Sequence, residues 1–149
     1  MRLWSVLGLL PVLLVACGSA STVSLSAQLT DESIKVQDTA FGASLSGGFR
    51  LRLELGSEAS GSTEVTPGNF ELQTEAGERL ADLRDAAPDT DYPIKLNKGE
   101  SKQVVYTLDE IDVDRAEVCA GHVRIVGSVM DTLKGGTVPV RSAPITPEC

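Results

Sequence analysis

The seven residues from Phe49 to Leu55 alternate without exception between apolar and charged side chains. One phenylalanine and three leucines occupy alternate positions, and two arginines and a glutamate lie between them. Successive side chains of a β-strand point to opposite faces, whereas a helix returns to the same face about every 3.6 residues. The segment is therefore predicted to be a strand with one face in a core and the other in solvent.

Shorter β-like patterns recur along the rest of the chain. Predicted strands cover Val23–Leu29, Ile34–Phe41, Thr63–Thr66, Phe70–Thr74, Gln103–Leu108, Val118–Met130 and Thr137–Ile145, and Ile94 and Leu96 begin another. Leu80–Leu83 fits either a strand or a helical turn. A spacing of about 8–12 residues is typical of antiparallel sandwiches, and no amphipathic helix pattern is present. We predict an all-β protein, an antiparallel immunoglobulin-like β-sandwich of about seven to nine strands.

Turn-forming residues predict the connections between these strands. Asp31–Ser33 is predicted to be a turn. Gly42–Gly48 is predicted to be a loop in which Gly47-Gly48 marks a break between strands. Asp109–Glu117 is predicted to be an acidic crossover between the sheets. Pro139 cannot donate a ladder hydrogen bond, so the last strand should lie at an edge.

Three short segments resemble the small immunoglobulin-like domains of bacterial lipoproteins. They are PGNFEL at 67–72, AGERL at 76–80 and LNKGES at 96–101, a strand and turns in the middle third of the chain. The resemblance implies the fold and brings no catalytic residues. Beyond Cys17 the chain has no tryptophan and no cysteine pair with the spacing of an antibody-type domain.

The N-terminus has the pattern of an export signal. Arg2 precedes an apolar stretch, Trp4–Ala16, which is too short for a membrane-spanning helix of about 20 residues. Leu14-Val15-Ala16-Cys17 resembles the lipobox of bacterial lipoprotein precursors. The resemblance implies that 1–16 is a signal peptide, that Cys17 is lipidated, that 17–22 is a tether and that 23–149 is the sandwich domain. Alternatives are cleavage at another site and an uncleaved anchor.

The residue after the lipobox cysteine bears on the location. It is Gly18 rather than aspartate, which in proteobacterial lipoproteins implies the outer membrane instead of retention at the inner one. The predicted location is the bacterial cell envelope, and the outer membrane if the host has two membranes. Two or more acyl chains give stable anchoring.

Two cysteines remain when Cys17 carries the lipid, namely Cys119 and Cys149. An even pair in an exported protein predicts a disulfide. Lys134, the centre of the last predicted hairpin, is 15 residues from each of them (134 − 119 and 149 − 134). The two cysteines should therefore face each other across a two-stranded ladder. The alternative is a pair of free thiols.

The charge of the mature chain excludes several partners. Residues 1–16 contain one of the 13 basic residues and none of the 21 acidic ones, so the mature net charge is 12 − 21 = −9. Nucleic-acid binders normally carry a basic face, so we predict no nucleic-acid partner. An anionic bilayer would repel this domain, and the lipid on Cys17 must provide the membrane attachment.

Candidate chemical groups are few. His122, the single histidine, is predicted to be a solvent-facing strand residue without a neighbouring nucleophile, so we predict no enzyme activity and no cofactor. The acidic segment offers weak candidate calcium ligands, and it lacks the glycine and terminal glutamate of an EF-hand. These candidates are Asp109, Asp112 and Asp114, together with Glu110 and Glu117; Asp85, Asp89 and Asp91 form a second acidic loop.

These observations predict a lipid-anchored cell-envelope lipoprotein. Its non-enzymatic β-sandwich would serve protein interaction or a structural role, with an unidentified envelope protein as partner. The alternative is a lipoprotein that binds calcium or a small ligand through its acidic loops.

Overall fold

A computed structural model describes residues 25–87 and 89–149. The predictions for 1–16, for Cys17 and for the tether 17–22 fall outside these residues. The described chain contains nine strands and one short helix: β1 Leu25–Thr39, β2 Gly42–Leu55, β3 Thr63–Pro67, β4 Phe70–Thr74, β5 Arg79–Asp85, β6 Ile94–Leu96, β7 Ser101–Val113, α1 Arg115–Cys119, β8 Val123–Asp131 and β9 Gly136–Arg141. Within these residues no helix is long and apolar enough to cross a membrane.

All named strand pairs are antiparallel, which confirms the predicted all-β class. The strands are hydrogen-bonded in the order β1-β2-β7-β5-β4-β8-β3-β6, and β9 pairs with β8. The core is built from the inward residues of each strand, and Leu51, Phe70 and Ile125 are fully buried. The ring of Phe70 lies 4.9–5.1 Å from those of Phe49 and Tyr106, which stack on each other. These rings join strands from opposite sides of the core.

One end of the sandwich, here called the closed end, contains the β1–β2 turn and α1. On one side, β5 and β4 connect β7 to β8. On the other side, the C-terminal segment 143–149 connects β8 to β1. Ile145 exchanges two main-chain hydrogen bonds with Val123, both 2.9 Å, and Glu148 bonds the main chain of Ile34 and Val36 at 2.8 Å. Both sides are therefore sealed by extended chain.

The opposite end, here called the split end, contains the first described residue. Leu25 pairs with Leu55, and Leu55 is bonded to the turn between β6 and β7 through Gly99 and Glu100. At this end β6 pairs with β3, and the first residues of β7 pair with β2, but β6 and β7 do not pair with each other. We call the gap between β6 and residues 101–105 of β7 the seam.

The predicted turn and loop before the clearest strand are both wrong. β1 runs unbroken through 31–33 as a bulge, with Asp31 at a positive φ of 54°. Gly42–Gly48 belongs to β2. The glycines are needed because neighbouring strands approach closely on both sides: a Cβ on Gly47 would lie 2.1 Å from the carbonyl oxygen of Ser33, and one on Gly48 would lie 2.3 Å from that of Tyr106.

The predicted acidic crossover is also wrong. β7 continues through Asp109–Val113, and the chain then forms α1. The Asp114 carboxylate accepts a hydrogen bond from the Ala116 N–H at 2.8 Å, which caps this short helix. The predicted strand at Val118–Met130 therefore begins only at Val123.

The Cys119–Cys149 disulfide is present, with the two Cα atoms 6.2 Å apart. The predicted pairing is correct, but the predicted ladder is not, because Cys119 ends α1 and β9 ends at Arg141. The bond joins the C-terminal segment to the helix. Arg115 supports the same junction, since its guanidinium bonds the main-chain carbonyl of Cys149 and an oxygen of Asp38.

Candidate interaction site at the seam

A groove of about 460 Å³ lies along the seam. One wall comes from β6 and β7, and the other comes from the loop that joins β5 to β6. Its lining includes Asp85, Ile94, Lys95, Lys102, Gln103 and Val105.

The main chain of β7 points unpaired groups into this groove. The N–H of Leu55 on β2 donates to the carbonyl of Glu100 at 3.0 Å, and the N–H of Ala86 donates to the carbonyl of Val105 at 2.8 Å. Because alternate residues direct their main-chain groups to opposite edges of a strand, even-numbered residues here face β2 and odd-numbered ones face the seam. The N–H and C=O of Gln103 therefore point into the seam.

The same reasoning applies to β6. The N–H of Thr132 donates to the carbonyl of Glu64 at 3.2 Å, so Glu64 faces β8 and its neighbours Thr63 and Val65 face β6. Ile94 and Leu96 are their register partners. The main chain of Lys95 therefore points away from β3 and into the seam. No strand within 25–87 and 89–149 pairs with this edge of β6.

Side chains give the groove an apolar floor and basic flanks. Ile94 and Val104 are buried at its base, and Val105 is 44% exposed on the outer face. Lys95 and Lys102 stand on the two strands that border the seam. The ammonium group of Lys102 lies 3.7 Å from a carboxylate oxygen of Glu100, an exposed contact that water screens.

Hydrogen bonds hold the opposite wall. The Tyr92 hydroxyl donates to Asp85 at 2.5 Å, and the Ala87 N–H donates to the same carboxylate at 2.8 Å. Partial burial acts to raise the pKa of Asp85, but hydrogen bonds from Tyr92, Ala87 and Thr90 outweigh it and lower that pKa below its ordinary value. Burial and the bond to Asp85 raise the pKa of Tyr92. At neutral pH this pair is a fixed hydrogen bond between a hydroxyl and a carboxylate.

The candidate calcium ligands are not brought together. A carboxylate oxygen of Asp109 lies 3.1 Å from a guanidinium nitrogen of Arg84. Asp112 is the register partner of Ser44 in the β2–β7 ladder, and the Asp114 carboxylate caps α1. No group of three or more histidine, cysteine, aspartate or glutamate side chains within the described ranges is placed to hold a metal ion. Two members of the second acidic loop, Asp85 and Asp91, line the groove instead.

His122 is exposed, as predicted, but it precedes β8 rather than lying in a strand. Its Nδ1 is 4.0 Å from a carboxylate oxygen of Glu75. The side chain of Phe41, at the β1–β2 turn, is fully exposed, which was not predicted from the sequence. It lies at the closed end, far from the groove.

The unpaired edges at the seam were not predicted from the sequence either. Both bordering segments were predicted as strands, but nothing in their patterns indicates that they remain unpaired with each other. The weak signal that was available is the outward Val105 beside the inward Val104, which departs from strict alternation.

Comparisons with known proteins support the fold. No protein-family model matches the chain, and no curated protein matches it. A solved structure, the X-ray structure of Northeast Structural Genomics Consortium target SoR45, matches with a TM-score of 0.53 over 85% of this chain and 87% of that chain. The sequence identity is 7%, so the similarity concerns the fold alone.

Proposed function

We propose that this protein is a lipid-anchored cell-envelope lipoprotein whose β-sandwich binds another envelope protein without catalysing a reaction. The observation that carries the proposal is the seam, where the main chains of Lys95 and Gln103 face a groove without a paired strand. Exposed strand edges are templates for pairing with another chain, and natural proteins usually cover or block them. An edge that stays available beside an apolar groove favours a partner protein.

Another edge strand of the molecule is blocked. Among the described strands β9 pairs only with β8. Pro139 has no N–H group, so β9 lacks one main-chain donor that a further strand would need. Neither Lys95 nor Gln103 is a proline, so each keeps its main-chain donor on the side of the seam.

The position of Leu25 supports a membrane-proximal site. Leu25 lies at the split end, so a tether from Cys17 would hold this end of the domain, with the turn between β6 and β7, towards the bilayer. Four of the five lysines are in segments of this end: Lys95, Lys98, Lys102 and Lys134. Carboxylates of the same end, among them Glu54, Glu64 and Glu100, lie beside these lysines and offset their charge, so the lipid itself would have to hold this end at the bilayer.

Two measurements test the proposal. Wild-type protein and Cys17→Ala are expressed in the native host with a labelled fatty acid; the wild type should be labelled and the variant should remain an unprocessed precursor. Amine-reactive cross-linking in intact cells should then join the wild type, but not the variant without the lipid, to a specific envelope protein. Equal labelling of both forms would refute the lipid anchor, and identical cross-linking of both would refute the anchored interaction.

The groove also fits the small-ligand alternative, because its volume lies within the roughly 300–1,000 Å³ of typical ligand sites. A ligand that fills it should raise the melting temperature of the wild type. Val105→Glu, which puts a charge at the rim, should abolish that rise without destabilising the free protein.

A further inference from the structure

We infer that the groove at the seam binds a short peptide with two free ends, whose carboxylate meets Lys95 and whose ammonium group meets Asp91. This inference rests on the small-ligand alternative of the proposed function and names the chemistry of that ligand. It does not involve the envelope protein, so the peptide site and the protein interaction are tested by different experiments.

Both ends of the groove are closed, which limits the length of a ligand. The turn from Asn97 to Glu100 closes the groove at the split end, and the hydrogen bond from the Ala86 N–H to the Val105 carbonyl closes it at the other end. The five steps of β7 from Glu100 to Val105 cover about 16 Å at the rise of a β-strand. The ligand is therefore short, and a tripeptide, which is about 10 Å long when extended, fits within this length.

The charged side chains of the groove leave one charge of each sign without a partner. The ammonium group of Lys102 lies 3.7 Å from a carboxylate oxygen of Glu100, and the Asp85 carboxylate already accepts two hydrogen bonds. Lys95 and Asp91 line the same groove, and neither forms an ion pair within residues 25–87 and 89–149. A ligand with one positive and one negative end matches this pair, whereas a ligand with a single charge leaves one of the two unmatched.

The remaining groups of the groove suit the body of a peptide. The main-chain N–H and C=O groups of Lys95 and Gln103 point into the seam, where they can pair with peptide amides. Ile94 and Val104 are buried at the base, and Val105 is exposed at the rim, so an apolar central side chain of the ligand can pack against them. Ligand sites typically combine an apolar lining with a few polar groups that fix the orientation of the ligand.

The test is isothermal titration calorimetry of the purified protein, expressed from the full chain, with the tripeptide Ala-Leu-Ala. The peptide is used in four forms: with free ends, acetylated at the N-terminus, amidated at the C-terminus, and capped at both ends. The free peptide should bind saturably. Each single cap should weaken binding about fivefold, because it removes one of two charge pairs that are partly exposed to water.

Two neutral variants assign each charge to one end of the peptide. Lys95→Gln should weaken binding of the free peptide about fivefold and leave binding of the amidated peptide unchanged, because that peptide has no carboxylate. Asp91→Asn should weaken binding of the free peptide to the same degree and leave binding of the acetylated peptide unchanged. Lys134→Gln, the matched change at an exposed lysine outside the groove, should leave all four affinities unchanged. Far-ultraviolet circular dichroism of the three variants checks folding.

The results separate this inference from the proposed function. Equal affinities for the free and the doubly capped peptide, or equal effects of Lys95→Gln and Lys134→Gln, would overturn the recognition of the two charged ends and leave a ligand site at the groove. The absence of saturable binding of all four peptides would overturn the peptide site altogether. Neither result bears on the protein interaction, which the cross-linking in intact cells decides.

Discussion

Replacement of both Cys119 and Cys149 by alanine should destabilise the protein without changing its fold. The bond closes a loop across a sequence separation of 30 residues. The native contacts of the C-terminal segment do not depend on the sulfur atoms, because Ile145 and Glu148 are held by main-chain hydrogen bonds. The effect should therefore come mainly from the larger conformational freedom of the unfolded chain.

The size of this effect follows from the loop length. In the chain-entropy model a loop of this size restricts the unfolded state by about 12 cal/mol/K, or about 3.6 kcal/mol at 25 °C. A domain of this size has an unfolding entropy near 0.27 kcal/mol/K, so the melting temperature should fall by about 13 °C.

Urea denaturation followed by circular dichroism measures the change in the free energy of unfolding directly. The wild type is measured with and without a thiol reductant, and the double variant under the same conditions. Reduction should reproduce the loss in the wild type and have no effect on the variant. A loss below about 1 kcal/mol would refute the reasoning, because it would mean that the loop entropy contributes little beyond the main-chain bonds. A changed m-value would indicate altered compactness instead.

Three further predictions test the packing and the buried polar groups. Gly48→Ala should cost about 1–3 kcal/mol in urea denaturation, because its Cβ would collide with the carbonyl oxygen of Tyr106, whereas Gly61→Ala, which faces open space, should have little effect. Burial raises the pKa of Tyr92 and Tyr106 above the ordinary value of about 10, so tyrosinate absorbance should appear at a higher pH in the folded protein than in the chain unfolded by urea. Because the unfolded chain loses these protons first, the free energy of unfolding should fall above about pH 10. Identical titration curves for the folded and unfolded protein would contradict this prediction. Asp131→Ala should lower the free energy of unfolding by about 2–3 kcal/mol, because one oxygen of the buried carboxylate accepts hydrogen bonds from the Thr63 hydroxyl and the Leu133 N–H. An unchanged free energy would mean that the burial of the other oxygen, which has no partner, offsets these two bonds.

The fold class was predictable because it depends on local alternation. Phe49–Leu55 and Phe70–Thr74 were predicted as strands, and their apolar residues are buried. Period two follows directly from strand geometry, so a sequence with one buried face reveals it.

The irregular positions were not predictable, because their meaning depends on neighbours distant in sequence. Gly47-Gly48 was interpreted as a break, yet it allows close contact with β1 and β7. A glycine pair has the same local signature in both situations. The charge of Asp109–Glu117 predicts an acidic crossover between the sheets, but Asp109–Val113 lies in β7, where the acidic side chains face solvent.

The disulfide was predicted for a reason that is only partly correct. Val123 pairs with Ile145, and this register, if continued, places Cys119 opposite Cys149. The helix replaces the ladder before that point, but the chain ends remain close. The seam could not be predicted at all, because it depends on which halves of the strands pair.

The entry of the chain at the split end has a mechanical consequence. β1 is bonded to β2 from the Leu25–Leu55 pair to the Thr39–Gly42 pair. If a load acts between Leu25 and a protein held in the seam, both points of attachment lie at the same end, and the pairs of β1 separate one after another at low force. Resistance rises at Ile34, where the C-terminal segment also holds β1 and the disulfide transmits the load to α1. The first half of β1 would thus yield before its clamped second half, and its release would expose the buried pair Leu25 and Leu55 while the second half stays in place.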